Sequence, residues 1–103
     1  MKRAIAIVIL VLVPALAFAA GDAAKGKDLY GTKCKSCHGP DGTPPAGMAK
    51  AMGIKPMSDK TIQAKSDADL KKAVTDGVGK MKPVAGVAGA DLDNVIAFVR
   101  TLK

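Results

Sequence analysis

The chain has 103 residues and a net charge of +7, with 16 Lys+Arg, 9 Asp+Glu and a single histidine. It has no Trp, one Tyr and two Phe, so it lacks the large aromatic core that helps to stabilise a small domain. No basic run exceeds two residues and no aromatic platform accompanies the charge, which argues against nucleic-acid binding. We expect one small domain that depends on a cofactor, a metal or a crosslink.

The N-terminus has the pattern of a secretory signal peptide. Two basic residues precede an unbroken apolar run over residues 4–13, and Ala17-Phe18-Ala19 supplies small residues to a cleavage site. This order of a positive start, an apolar run and small residues is typical of exported proteins. We expect residues 1–19 to be removed.

An uncleaved membrane anchor is the alternative for the same segment. The apolar stretch over residues 4–20 has 17 residues and contains Pro14, which is at the lower limit for a helix that crosses a bilayer. We therefore favour cleavage after Ala19, with Ala20 as the other candidate position. Residues 20–103 then form one domain that does not insert into the membrane.

Helical periodicity dominates the rest of the chain, and no segment alternates like a strand. Asp22 is the predicted N-cap of the first helix, and Ser66 with Asp69 resembles a capping box. The final helix carries Asp91 and Asp93 in its first turn, where they complement the helix dipole. The fold class is all-α, with four to five short helices, which we predict over residues 22–33, 46–52, 58–64, 66–76 and 90–102.

The segment Cys34-Lys-Ser-Cys37-His38 carries the strongest functional signal. Two thiols stand three residues apart, and the only histidine follows directly; this is the pattern of c-type haem attachment. On a helical turn, residues i and i+3 lie on one side, so both sulfurs can form thioethers with the vinyl groups of one porphyrin. His38 then places its imidazole under the ring as an axial ligand of the iron.

Other interpretations of the two cysteines are weaker. A zinc site normally needs four Cys or His ligands, and the chain has three such residues. A thioredoxin-like dithiol needs a βαβ context, which the helical pattern does not provide. A structural disulfide would leave His38 without a role.

The chain resembles the class I cytochromes c, particularly the short monohaem types of bacteria and algae. The resemblance depends on Gly26 and Tyr30, the segment Cys34–Gly39, the segment Gly77–Pro83 and the helix Leu92–Leu102. It implies helices wrapped around one covalent haem c, with a small residue at Gly26 where the first and last helices cross. It also implies a one-electron carrier rather than an enzyme, located in the periplasm or an equivalent compartment.

The resemblance implies a methionine as the sixth iron ligand. Met81 follows the glycines at 77 and 79 and precedes the last helix, as the methionine of the family does. The family usually has Met-Pro, whereas Lys82 intervenes here, so Met57 remains the second candidate. We expect Met48 and Met52 to pack against the haem.

A metal-bound imidazole usually donates its other N–H to a nearby acceptor. The resemblance implies a backbone carbonyl close to a proline in the loop after His38. Pro44 and Pro45 are the two candidates, and the sequence does not choose between them.

The positive charge indicates the kind of partner. Four lysines flank the segments expected to meet the haem, and they would attract an acidic surface on a redox protein. They are Lys33, Lys35, Lys80 and Lys82. We expect a monomer that binds no nucleic acid.

Two other functional classes remain open. A haem-based gas binder or peroxidase would need a vacant or labile sixth position on the iron, which the inserted Lys82 leaves possible. A haem-free module would use Cys34 and Cys37 as a redox dithiol.

Overall fold

The computed structural model describes residues 21–103, so the predicted signal peptide lies outside the described residues. Over this range the chain is helical, and its only β-type pairing is an isolated bridge between Val78 and Met81. This confirms the all-α prediction. The helices are α1 (Ala23–Lys33), α2 (Lys35–His38), α3 (Ala46–Met52), α4 (Lys60–Gln63), α5 (Asp67–Asp76) and α6 (Ala90–Val99).

The six helices in residues 21–103 exceed the four to five that the sequence predicts. The additional helix is α2, which follows α1 after Cys34, whose φ is −118°. The α2 helix is a single turn of four residues.

The crossing of α1 and α6 is the central packing interaction. A side chain at Gly26 would overlap the backbone carbonyl of Asn94, which confirms that a small residue is needed at this crossing. Tyr30 of α1 meets Phe98 of α6 edge to face, with ring centroids 5.0 Å apart. Tyr30 and Val95 are each only 1% exposed, so this crossing is the best-packed part of the described chain.

The helix starts largely follow the sequence. The carboxylate of Asp22 accepts a hydrogen bond from the Ala24 N–H at 2.9 Å, and the Ser66 hydroxyl accepts one from the Asp69 N–H at 3.1 Å. The start of α4 differs, because the cap is Asp59 and not Ser58. Asp59 accepts from the Thr61 N–H at 2.8 Å, and a carboxylate is a stronger acceptor there than a hydroxyl.

The end of α6 also differs from the prediction. The helix stops at Val99, because the Leu102 N–H donates to the Val99 carbonyl at 3.1 Å in a tightened last turn. Arg100 follows directly as the C-cap of α6. Its guanidinium reaches Asp67 and the Gln63 carbonyl, so it ties α6 to the segment before α5.

The apolar face of α6 covers one side of a large cavity. Ile96 and Val99 of α6 meet Leu70 and Val74 of α5 in the same buried cluster. Among residues 21–103, no helix has the length and apolar character that crossing a membrane requires.

Candidate functional site

The Cys34–His38 segment is set at the corner where α1 ends. The His38 N–H donates to the Cys34 carbonyl at 3.0 Å, and the Gly39 N–H donates to the Lys35 carbonyl at 2.8 Å. Gly39 then ends the turn with φ +77°, a conformation that glycine adopts without strain. Cys34 is buried and Cys37 half-buried, so one helical turn holds both thiols and the imidazole together.

These side chains open into a cavity of about 710 Å³, within the range of about 300–1,000 Å³ typical of small-molecule and cofactor sites. The predicted site residues Cys34, Cys37, His38 and Met81 all line it. Met57 and Met52 line it as well, whereas Met48 does not. Its apolar wall is completed by Tyr30, Ile54, Ile62, Leu70, Ala73, Val74, Val78, Pro83, Val84, Ala85, Val95, Ile96 and Val99.

Burial of His38 favours the neutral imidazole that metal binding requires. Burial lowers the pKa of its imidazole, which favours the neutral form with a free nitrogen lone pair. Its Nδ1 is buried without a hydrogen-bond partner among the described residues. The hydrogen bond expected to a carbonyl near Pro44 or Pro45 is therefore not formed in this structure.

The loop after His38 nevertheless returns close to it. A side chain at Gly39 would overlap the Thr43 carbonyl, so the backbone just before Pro44 lies against the end of the Cys34–His38 turn. Pro44 is buried and Pro45 exposed.

The two thiols are free and do not form a disulfide. Burial, with a smaller contribution from nearby Cys37, raises the pKa of the Cys34 thiol. Reactive dithiols instead have a lowered thiol pKa and partial exposure. This environment argues against a redox dithiol and suits a thiol that becomes a thioether.

Met81 stands at the end of a tight turn. Val78 and Met81 exchange two backbone hydrogen bonds, of 3.0 and 2.9 Å, and Gly79 takes φ +54° between them. Gly77 is also constrained, because a side chain there would lie 2.6 Å from the Met81 carbonyl oxygen. The backbone of Met81 is therefore fixed on the cavity wall.

Met57 is held by a different part of the chain. Its N–H donates to the Gly42 carbonyl at 2.8 Å, and its carbonyl accepts from Gln63 Nε2 at 2.7 Å. A side chain at Gly42 would lie 2.8 Å from Met57 Cβ and 3.1 Å from Leu102 Cδ1. Met57 thus packs beside the loop that follows His38.

The resemblance included Tyr30, but the sequence did not indicate the hydrogen bond that this residue makes. Its hydroxyl donates to the Gly39 carbonyl at 2.7 Å in a buried setting. Burial is the main reason that the pKa of Tyr30 rises to about 12. No local motif signals this bond, since it joins a helix to the residue after a turn.

The lysines at the cavity only partly match those selected from the sequence. Lys33, Lys80 and Lys82 line the cavity, and Lys35 does not. Lys55 and Lys65 line it too, although nothing in their local sequence distinguished them from other exposed lysines.

Comparisons with known proteins show which family the chain belongs to. A family model described as cytochrome c oxidase, cbb3-type, subunit III matches residues 21–99. The chain belongs to this cytochrome c family. It is 36% identical over 91 residues to cytochrome c-554(547) of Halothiobacillus neapolitanus, with 82% of this chain and all of that relative covered.

Solved structures of c-type cytochromes have the same fold. The c-type cytochrome KustC0563 matches with a TM-score of 0.66 and 28% identity, over 76% of this chain and 96% of that one. A tyrosine-to-phenylalanine variant of Kustc0563 matches with a TM-score of 0.64 and 26% identity, over 77% and 99%. As a c-type cytochrome, the chain carries covalently bound haem c and is an electron-transfer protein rather than an enzyme.

Proposed function

We propose that this cytochrome is a one-electron carrier outside the cytoplasmic membrane, with haem joined to Cys34 and Cys37 and its iron bound by His38 and Met81. The observation that carries the proposal is the convergence of these four side chains on one apolar cavity. Haem supplies a ferric–ferrous couple when bound. The chain supplies two thiols, a neutral imidazole and a wall that excludes water.

The order of the elements supports Met81 rather than Met57 as the sixth ligand. Met57 packs against Gly42, four residues after His38, so it would lie on the histidine's side of a haem bound in the cavity. Met81 comes from a separate hairpin that follows α5. A thioether opposite a histidine raises the reduction potential and closes the iron to other ligands.

The rigid backbone around Met81 suits electron transfer. Its turn is closed by two hydrogen bonds to Val78, and Lys80 Nζ donates to the Ala51 carbonyl at 3.0 Å. The second contact ties the turn to α3. A ligand held in this way changes position little between the two oxidation states.

Export to the periplasm, or to an equivalent compartment, is part of the proposal. Its support is the basic start, the apolar run over residues 4–13 and the small residues before position 20. The partner is a redox protein with an acidic docking surface, and the cytochrome acts as a monomer. Lys33, Lys80 and Lys82 at the cavity rim support this charge preference.

The test is spectroscopic and begins with the purified exported protein. Mass spectrometry should show one covalent haem on a chain that lacks residues 1–19, and the pyridine haemochrome spectrum should be that of two thioether links. The bare chain mass, after expression with a working haem-attachment system, would refute the proposed attachment. Ready binding of carbon monoxide by the reduced protein at neutral pH would instead favour a gas binder or peroxidase.

A further inference from the structure

The cavity is bordered by positive charge without a matching negative charge. Neither of the two ion pairs found among residues 21–103, Lys71–Asp93 and Arg100–Asp67, involves a lysine of this border. Cationic side chains around an apolar cavity favour a ligand that is itself anionic in part. The charged side chains that line the cavity are Lys33, Lys55, Lys65, Lys80 and Lys82.

Haem has two carboxylates, and they stand on the edge of the porphyrin opposite its vinyl groups. A porphyrin joined to Cys34 and Cys37 therefore directs its carboxylates away from these residues. Lys33 adjoins Cys34 in the chain, and its Nζ lies 3.7 Å from the position of a side chain at Gly86. Lys33 therefore lies on the side of the cavity where the porphyrin is attached, and it is not placed to bind the carboxylates.

Two further lysines belong to the side of the sixth ligand. Lys80 and Lys82 flank Met81, and the Nζ of Lys80 already donates to the Ala51 carbonyl at 3.0 Å. Of the five lysines on the border, Lys55 and Lys65 remain. Both lie on the segment between α3 and α5, away from the Cys34–His38 turn along the chain.

Arg100 is the only arginine among the described residues, and four of its five N–H donors are already used. Its Nε and Nη2 donate to Asp67 Oδ1 at 2.9 and 2.8 Å. Its Nη1 donates to the Gln63 carbonyl at 2.8 Å, and its Nη2 also donates to the Lys65 carbonyl at 2.6 Å. Arg100 therefore fixes the backbone of Lys65 and is not itself free for a carboxylate.

Gln63 fixes the neighbouring part of the same segment. Its Nε2 donates to the Met57 carbonyl at 2.7 Å and to the Val99 carbonyl at 3.2 Å. Met57 is two residues from Lys55, so both lysines extend from backbone that is tied to α6. Lys55 is also oriented by a contact of 3.4 Å from its Nζ to Thr61 Oγ1.

We propose that Lys55 and Lys65 bind the two carboxylates of haem, with Arg100 as the positioning residue for Lys65. This proposal depends on the proposed attachment at Cys34 and Cys37. It assigns two different tasks to the lysines of the border. Lys55 and Lys65 bind the cofactor, whereas Lys33, Lys80 and Lys82 contribute positive charge towards an acidic partner.

The test measures the reduction potential of the holoprotein as a function of pH. A lysine beside a carboxylate lowers the pKa of that carboxyl by about 1–3 units. Ionisation of the carboxyl adds negative charge near the iron and lowers the potential. In Lys55→Gln or Lys65→Gln, the pH at which the potential begins to fall should therefore move upward, by about one unit or more.

Matched controls separate this effect from a general loss of positive charge. Lys72→Gln changes an exposed lysine of α5 that does not line the cavity, and Lys82→Gln changes a cavity lysine on the Met81 side. Neither should move the pH profile. If Lys80→Gln or Lys82→Gln moves it and neither Lys55→Gln nor Lys65→Gln does, the assignment is wrong.

The role of Arg100 needs a variant pair of its own. Arg100→Met should move the profile in the same direction as Lys65→Gln, whereas Asp67→Asn, which keeps the guanidinium on the Lys65 carbonyl, should not. A lower melting temperature with an unchanged profile in Arg100→Met would show that it is only structural. If the unaltered protein lacks covalent haem, both the proposed function and this proposal are overturned. If haem is attached normally but the potential–pH profiles of Lys55→Gln and Lys65→Gln match that of the unaltered protein, this proposal alone is overturned.

Discussion

The α1–α6 crossing and the half of the molecule around α3 and α4 are built on different principles. At the crossing, helix packs on helix so closely that Gly26 has no room for a side chain, and Tyr30 and Phe98 interlock. Neither α3 nor α4 contains a buried residue, and Met52 and Ile62 of these helices line the cavity. One region therefore supplies its own core, whereas the other depends on haem to complete it.

This difference has a direct consequence for folding. Haem is the large apolar body that the chain lacks, since it has only one Tyr, two Phe and no Trp. A group that binds the folded state adds its binding free energy to the free energy of unfolding. The region around α3 and α4 should therefore be the part whose order depends on the cofactor.

The largest expected effect comes from removing the attachment. In the Cys34→Ser/Cys37→Ser protein, we expect loss of covalent haem, weak helicity by circular dichroism and no cooperative melt. Hydrogen exchange should show that any remaining protection is confined to α1 and α6. A cooperative, native-like melt of this variant would contradict the proposed dependence on haem.

The second largest expected effect comes from replacing Met81, the proposed sixth ligand of the iron. Met81→Ala should open the iron, so the reduced protein binds carbon monoxide, and it should lower the reduction potential because thioether sulfur favours ferrous iron. Met57→Ala is the matched control and should leave the ligand spectrum intact. The opposite result, with an open iron only in Met57→Ala, would exchange the roles of the two methionines and leave the electron carrier in place.

A smaller effect tests the helix crossing itself. Gly26→Ala should lower the free energy of unfolding by about 1–3 kcal/mol, because the new methyl group overlaps the Asn94 carbonyl. Gly31 lies on the same helix, and no neighbouring atom comes within 4 Å of the place that a methyl group would occupy there. Gly31→Ala should therefore raise the free energy of unfolding, by about 0.5–1 kcal/mol. Denaturant titration of both holoproteins measures the difference, and equal values would mean that the crossing is looser than described.

The smallest expected effect comes from the hydrogen bond that joins Tyr30, at the helix crossing, to the end of the Cys34–His38 turn. Tyr30→Phe removes the hydrogen bond to the Gly39 carbonyl and should cost about 1 kcal/mol of stability. The pKa of Tyr30 is about 12 instead of 10.0, so folding favours the protonated hydroxyl. Its contribution is complete below about pH 10 and is lost as the pH rises towards about 12.

Alkaline melts of the wild type and of Tyr30→Phe therefore measure this contribution. The variant should lose less stability than the wild type does between about pH 10 and pH 12. An identical alkaline loss in the two proteins would show that the hydroxyl of Tyr30 is not the group responsible.

Local sequence patterns predicted the start of a helix well where the capping residue lies next to the N–H groups that it binds. The caps at Asp22 and Ser66 need only an acceptor a few residues from the N–H groups that it binds, and both appear in the structure. The cap of α4 was misplaced by one residue, because Ser58 and Asp59 are both good caps and the choice depends on the contact with Thr61. The end of α6 was placed three residues too late, because the Leu102 N–H donates to the Val99 carbonyl in a tightened last turn.

The sequence by itself determined the chemistry of the site. A CxxCH segment needs only one helical turn to bring two thiols and an imidazole to one side, and that turn is encoded within five residues. It also determined the all-α class. These features follow from spacing, which a linear chain records directly. The small residue at position 26 was implied instead by the resemblance to the class I cytochromes c, and its reason is a contact with Asn94 across the molecule.

Only the tertiary structure decided which distant residues join that turn. Three features depend on contacts between segments that lie far apart in the chain. They are the different backbone settings of Met57 and Met81, the hydrogen bond from Tyr30 to the Gly39 carbonyl, and the position of Lys55 and Lys65 on the cavity border. A methionine or a lysine looks the same in sequence whether it faces a cofactor or water. Its role is set by the path of the backbone that carries it, and that path is fixed here by long-range hydrogen bonds from Gln63 and Arg100.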